Sequence, residues 1–183
     1  MANKRYGMVI DLRKCAGCHA CTVACKAENK VPDGIKRTKI IEEETGEFPN
    51  VAITFRKHQC MHCQDAPCVK VCPTKASYHT EFGTCEVDPK LCIGCKYCVH
   101  ACPYRARTIN PENGLPEKCT LCVDKLAKGE LPACATTCIG NAITVGDLND
   151  PNSEVSRAVA KGARPLNPEW NTKPSIFYIW NRR

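Results

Sequence analysis

Sixteen of the chain's seventeen cysteines fall into four quartets, and no other feature constrains the fold as strongly. The quartets are Cys15, Cys18, Cys21 and Cys25; Cys60, Cys63, Cys68 and Cys72; Cys92, Cys95, Cys98 and Cys102; and Cys119, Cys122, Cys134 and Cys138. The first and third have the spacing C-x2-C-x2-C-x3-C, at which thiolates ligate [4Fe–4S] clusters. The second and fourth keep the opening C-x2-C and the closing C-x3-C and lengthen the middle gap. Four quartets in 183 residues imply four [4Fe–4S] clusters and a chain that is mostly a scaffold for moving electrons.

Two other uses of cysteine fit this pattern less well. A secreted disulfide scaffold does not call for third and fourth cysteines four apart in every quartet, and the stretch MANKRYGMVIDLRK has no apolar segment of signal-peptide length. Structural zinc uses paired C-x2-C units but has no need of the recurring third and fourth positions. With aromatic residues at only 6% of the chain, metal–thiolate bonds are expected to supply much of the folding energy.

The formal charge of +7 counts every cysteine as neutral. Sixteen thiolates and four oxidised cluster cores of about +2 each bring the loaded protein to about −1. The Lys and Arg excess therefore reads as local compensation for buried anionic clusters. No basic stripe of the kind that binds nucleic acid is visible, and no apolar run approaches membrane-spanning length.

The expected fold class is α+β: two ferredoxin-like modules, nested in the chain, with little regular structure outside them. Residues 55–111 read as an inner two-cluster module, with a hairpin turning at Phe82, Gly83 and Thr84 and a strand over Thr84–Asp88. Residues 1–30 and 112–149 read as two parts of an outer module, with strands in YGMVIDLRK and NAITVGDL. Residues 31–54 form a hairpin insertion, with strands at Lys36–Ile41 and Val51–Phe55 around a polar loop, Glu42–Asn50. Residues 150–183 form a tail whose apolar end, SIFYIWNRR, docks on the body or on a partner.

Three cysteines two apart can wrap a cuboidal cluster only from a tight loop, for which Gly17 and Gly94 are suited. The fourth cysteine, at i+4 from the third, falls on the same helix face. In two-cluster ferredoxins that fourth residue ligates the neighbouring cluster. The same crossing here groups Cys60, Cys63 and Cys68 with Cys102, and Cys92, Cys95 and Cys98 with Cys72. In the outer module it groups Cys15, Cys18 and Cys21 with Cys138, and Cys119, Cys122 and Cys134 with Cys25.

The remaining reactive residues have plainer readings. Cys85 is expected to pack as a small buried hydrophobe. His62, inside CMHC, reads as a residue behind the ligands or at the surface, and His19, His79 and His100 as solvated or hydrogen-bonding neighbours of the cluster loops. Tyr97, Tyr104 and Trp180 read as packing groups. The stretch KLAKGELPA fits either an exposed basic loop or a docking contact. There is no phosphate loop, no nucleophile with its base and no open metal site, so the chain reads as non-catalytic.

The segments IDLRKCAGCHACTVACKAEN, QCMHCQDAPCVKVCPTKASY, CIGCKYCVHACPYRAR and EKCTLCVDKLAKGELPAC resemble the four-cluster iron–sulfur subunit of the dimethyl sulfoxide reductase family. The compact length is most similar to the polysulfide and thiosulfate reductase members. The resemblance covers nearly the whole chain, is specific for the subunit type and says little about substrate. It implies a molybdopterin catalytic subunit as one partner and an integral membrane subunit that exchanges electrons with quinol as the other. All sixteen quartet cysteines take ligand positions, though Ile139 follows Cys138 where the family often has Pro. The resemblance also implies a peripheral place on the inner membrane, on the periplasmic face by co-export with a signal-bearing partner or on the cytoplasmic face. An electron-transfer subunit of a formate dehydrogenase or hydrogenase is the alternative, and a structural zinc protein a third reading.

Overall fold

The computed structural model describes residues 4–180. In chain order the elements are β1 (Tyr6–Asp11), α1 (Ala20–Glu28), β2 (Thr38–Thr45), β3 (Ala52–Gln59), α2 (Pro67–Lys70), β4 (Ser77–His79), β5 (Cys85–Val87), α3 (Tyr97–His100), β6 (Thr108–Ile109), β7 (Pro116–Glu117), α4 (Val123–Ala127), α5 (Ala133–Thr136), β8 (Ile143–Asp147), α6 (Glu154–Ala160), β9 (Arg164–Pro165), a 3-10 turn (Pro168–Trp170) and β10 (Ile176–Ile179). It is a small mixed α/β fold, and no helix among the described residues is long and apolar enough to cross a membrane.

The largest sheet has the order β8-β1-β10-β9. All six residues of β1 are buried, as expected for a strand with neighbours on both edges. β1 pairs antiparallel with β8, Met8 opposite Val145, and parallel with β10, Met8 opposite Ile176. The strand before the first quartet therefore lies beside the strand after the last. α1 packs on α5 and α2 on α3, so the helices of the first and fourth quartets meet, as do those of the second and third.

The tail docks on the body through β10, whose Ile176 and Tyr178 are fully buried; the last three residues of SIFYIWNRR lie outside the described residues, as do the first three of the chain. α6 is started by Ser153, whose hydroxyl accepts from the Ser156 amide at 3.1 Å, and it buries Val155 against Val9 and Ala163.

Three expectations need correction. Regular structure outside the cysteine regions is substantial: β2 and β3 form a hairpin with eight residues in each strand, and the tail adds α6, β9 and β10. Glu42–Thr45 continue β2 instead of opening a loop, because each is paired across the ladder, Glu43 with Thr54 and also by an ion pair to Arg56. The second strand likewise runs on to Gln59, past the expected end at Phe55. Finally, only α1 carries both the third and fourth cysteines of its quartet. α2, α3 and α5 are four-residue helices that stop before Cys72, Cys102 and Cys138. Pro73 and Pro103 lack the amide that would extend α2 and α3 and disfavour helical backbone at the residue before them. α5 stops at Thr136 although Ile139, not proline, follows Cys138.

Candidate metal centres

The four C-x2-C loops share one backbone device. The residue just before the second cysteine is left-handed in every loop: Gly17 at φ +68°, His62 at +45°, Gly94 at +69° and Leu121 at +57°. The two lengthened quartets therefore begin with the same turn as the two regular ones. Where glycine is absent the strained residue is locked by burial, His62 at 0% exposed and Leu121 at 1%. His62 thus lies in the interior; its Nδ1 accepts from the Cys85 amide at 3.2 Å, and its Nε2 is buried without a partner.

Three cavities gather cysteines in fours. One is lined by Cys15, Cys18, Cys21 and Cys138, a second by Cys25, Cys119, Cys122 and Cys134, and a third by Cys72, Cys92, Cys95 and Cys98. Each takes three cysteines from one quartet and the fourth from another. Cys60, Cys63, Cys68 and Cys102 share one electrostatic neighbourhood: burial pushes the Cys63 thiol up to about 12, and the other three add to the rise.

Among the described residues, no three or more His, Cys, Asp or Glu side chains converge tightly enough to hold a single metal ion. A tetrathiolate zinc site with bonds of about 2.3 Å draws its sulfurs to within about 4 Å of one another, whereas a cuboidal cluster spreads its thiolates around a larger core. Four sulfurs drawn from two quartets and not converged on one point fit the second kind of group. Backbone amides already point at the sulfurs: Ser77 to Cys72 at 3.4 Å, Ala142 to Cys138 at 3.3 Å and Leu121 to Cys119 at 3.3 Å. Asn29 adds a side-chain amide to Cys25 at 3.7 Å.

Buried cations face the same groups. Arg107 binds the Ser77 hydroxyl at 2.7 Å, but its Nε and Nη1 are buried with no partner. Burial would lower its pKa; the Cys68, Cys98 and Cys60 sulfurs more than offset this and raise it. Lys118 donates to the carbonyls of Cys85 and Cys119 and to Glu86 at 3.2 Å. Unpaired donors beside sulfur, such as those of Arg107, are what a buried anionic group would satisfy.

The other residues separate cleanly. Burial pushes the Cys25 thiol up to about 11 and the Cys119 thiol well above its usual range, the opposite of a nucleophilic cysteine. Cys85 is buried and donates to the Cys63 carbonyl at 3.3 Å. Its thiol also lies against Cys68 and, ahead of Arg107, holds that sulfur low. Tyr104 is packed, with Thr172 at 2.6 Å and the Trp170 ring tilted against it at 5.1 Å between centroids, and the Trp180 and Tyr178 ring centroids lie 5.8 Å apart. Tyr97 is exposed and does not pack, because its short helix turns Cys98 inward instead. His19 sits 3.9 Å from Glu42, and His79 Nδ1 lies 3.6 Å from the Cys85 sulfur. The KLAKGELPA stretch is partly interior: Leu126 is buried and its carbonyl accepts from Tyr6 at 3.0 Å.

Residues 51–148 match the 4Fe-4S dicluster domain family, as do residues 14–77 in a second match. The protein is 44% identical to the B component of polysulfide reductase from Wolinella succinogenes, over 98% of its own length and 96% of that relative's. It is 44% identical to the B component of tetrathionate reductase from Salmonella typhimurium, over 96% of its own length and 72% of the relative's. Protein NrfC of Escherichia coli is 46% identical, over 96% of the present sequence and 80% of its own. With cysteines gathered in fours and matches spanning nearly its whole length, the protein belongs to the 4Fe-4S dicluster family of iron–sulfur electron-transfer subunits.

Proposed function

We propose that the chain holds four [4Fe–4S] clusters and carries electrons between a quinol-reactive integral membrane subunit and a molybdopterin catalytic subunit of a reductase acting on a sulfur compound. The ligand sets are Cys15, Cys18, Cys21 and Cys138; Cys119, Cys122, Cys134 and Cys25; Cys60, Cys63, Cys68 and Cys102; and Cys92, Cys95, Cys98 and Cys72. The observation that carries the proposal is that three cavities are each lined by a full set of four cysteines drawn from two quartets. The β1–β8 pairing and the packing of α1 on α5 and α2 on α3 support two nested modules, with 1–30 and 112–149 around 55–111, the hairpin at 31–54 and the tail at 150–183. The complex sits peripherally on the inner membrane, on its periplasmic or its cytoplasmic face.

When bound, such clusters accept and pass on single electrons without breaking bonds. The chain's residues set the conditions. Burial of Cys60, Cys63, Cys68, Cys119 and Cys134 keeps water from the interior sulfurs, while Cys18 and Cys95 alone among the sixteen are exposed. The exposed apolar side chains Val23 and Ile139 share segments with the Cys15–Cys138 group, and Leu91, Ile93 and Tyr97 with the Cys95 loop. Those two faces are where partner subunits approach to exchange electrons.

Iron and acid-labile sulfide analysis of the anaerobically purified native complex tests the reading. About sixteen of each per chain are expected from four clusters of this type. Zinc in their place overturns it, and a native complex without molybdenum or without a membrane subunit overturns the partner assignment.

A further inference from the structure

Among the described residues, Lys57 is the one side chain that lines both the Cys15–Cys18–Cys21–Cys138 cavity and the Cys25–Cys119–Cys122–Cys134 cavity, and it is itself buried, at 1% exposed. It projects from β3, whose alternation turns Lys57 and Gln59 inward together. No carboxylate lies within ion-pairing distance of its ammonium among the described residues. The ammonium donates to the Gln59 side-chain oxygen, and Gln59 Nε2 in turn lies 3.1 Å from Met8 Sδ. Its backbone is pinned as well, the carbonyl accepting from Tyr178 at 2.9 Å.

A full charge held by one neutral amide is a costly arrangement unless anions face it. Other cations near these cavities differ. Arg37, which lines the Cys25 cavity, is paired with Glu117 at 2.7 Å, and Lys14, which lines the Cys15 cavity, is exposed. Eight cysteines, four in each cavity, are the groups placed to face the Lys57 charge.

We propose that Lys57 is a fixed buried charge that sets the electron affinity of the two clusters on either side of it. This rests on the four-cluster reading above. Four thiolates on an oxidised core carry a net charge of about −2, and one added electron makes it about −3. Lys57 attracts the more negative state more strongly, so it favours reduction on both sides, and its burial limits screening by salt. Lys57 therefore offsets the repulsion that an electron on one cluster exerts on the other.

The test is EPR-monitored redox titration of the complete complex carrying Lys57→Met, with Lys57→Arg as the charge-preserving control. Lys57→Met is expected to keep its iron and sulfide and to lower the reduction equilibrium constant at two of the four clusters by about tenfold, 59 mV for one electron. The other two stay in place, and Lys57→Arg returns most of the shift. A second variant, Gln59→Glu, keeps the shape of the site and places a carboxylate on the ammonium, and it is expected to lower the same two potentials. Full cluster content with unchanged potentials in either variant overturns the proposal. So does loss of the two clusters in both variants, which would make Lys57 a residue needed for retention instead of affinity. A wild-type complex with fewer than four clusters would instead sink the underlying reading before any variant is made.

Discussion

Gly140 abuts the backbone of Lys14 so closely that a Cβ on Gly140 would lie 2.2 Å from the Lys14 carbonyl oxygen. The contact joins the residue after Ile139 to the residue before Cys15. It brings Cys138 to the cavity of Cys15, Cys18 and Cys21, although the two ends are far apart in sequence.

Gly140→Ala must push these two segments apart, since the clash is with backbone and not with a flexible side-chain tip. A loss of about 1–3 kcal/mol is expected. Chemical denaturation of the loaded protein measures it, and iron analysis should show selective loss at this one site.

Cys72→Ser removes a lining residue of the cavity of Cys92, Cys95 and Cys98, three residues from a different quartet. The expected outcome is loss or conversion of that cluster, with about a quarter of the iron gone if it leaves entirely. Cys102→Ser should instead perturb the cluster of Cys60, Cys63 and Cys68. EPR spectra that assign each variant to its own quartet would refute the crossing.

Leu121→Gly sets two effects against each other. Glycine relieves the left-handed strain at φ +57°, which is about 1–2 kcal/mol. It also deletes a buried leucine side chain, which costs about 2–5 kcal/mol. The net change should be destabilising, and a Tm that rises would show that the loop is governed by strain.

Leu91→Glu places a charge on an exposed apolar side chain next to Cys92 that lines none of the three cysteine cavities. Cluster content should be unchanged, since the side chain is exposed. Binding of the partner subunit is expected to weaken by roughly tenfold, about 1.4 kcal/mol. Reconstitution with the separated partner and measurement of Kd checks this.

Removal of the clusters by anaerobic chelation leaves Arg107 with two buried unpaired nitrogens and Lys57 without facing anions. Uncompensated buried charges and the lost metal bonds act in the same direction. The stripped protein should lose hydrogen-exchange protection first around α1, α3 and the four cysteine loops, with β1 and β10 protected longest.

The sixteen quartet cysteines, the opening strand, the strand after Cys138 and the β4–β5 hairpin were all legible in the order of residues. Spacing of two and three residues reports local backbone geometry, and alternation reports a strand, so neither needs long-range information. Tyr97 and the three short helices were not legible in this way, because the periodicity that places Cys98 and Cys102 on one face also fits a turn that ends early. Residues Glu42–Thr45 read as a polar loop because their partners, Ala52–Phe55, lie on the far side of a turn. His62 and Leu121 carried a usable signal: they occupy the position of Gly17 and Gly94 in loops of identical C-x2-C spacing.

The sequence by itself determined the number and local wrapping of the cysteine quartets, because ligand spacing is a property of a few consecutive residues. The crossing of each fourth cysteine was expected from the two-cluster pattern. What only the tertiary structure supplies is the long-range packing that brings Cys138, Cys25 and Cys72 to three cavities, with α1 meeting α5, α2 meeting α3 and β1 lying beside β8. The tertiary structure alone also picked Lys57 out of twenty-six basic residues. In FRKHQ that lysine is indistinguishable from its neighbours; burial between two groups of thiolates is a long-range property, made by packing and not by spacing.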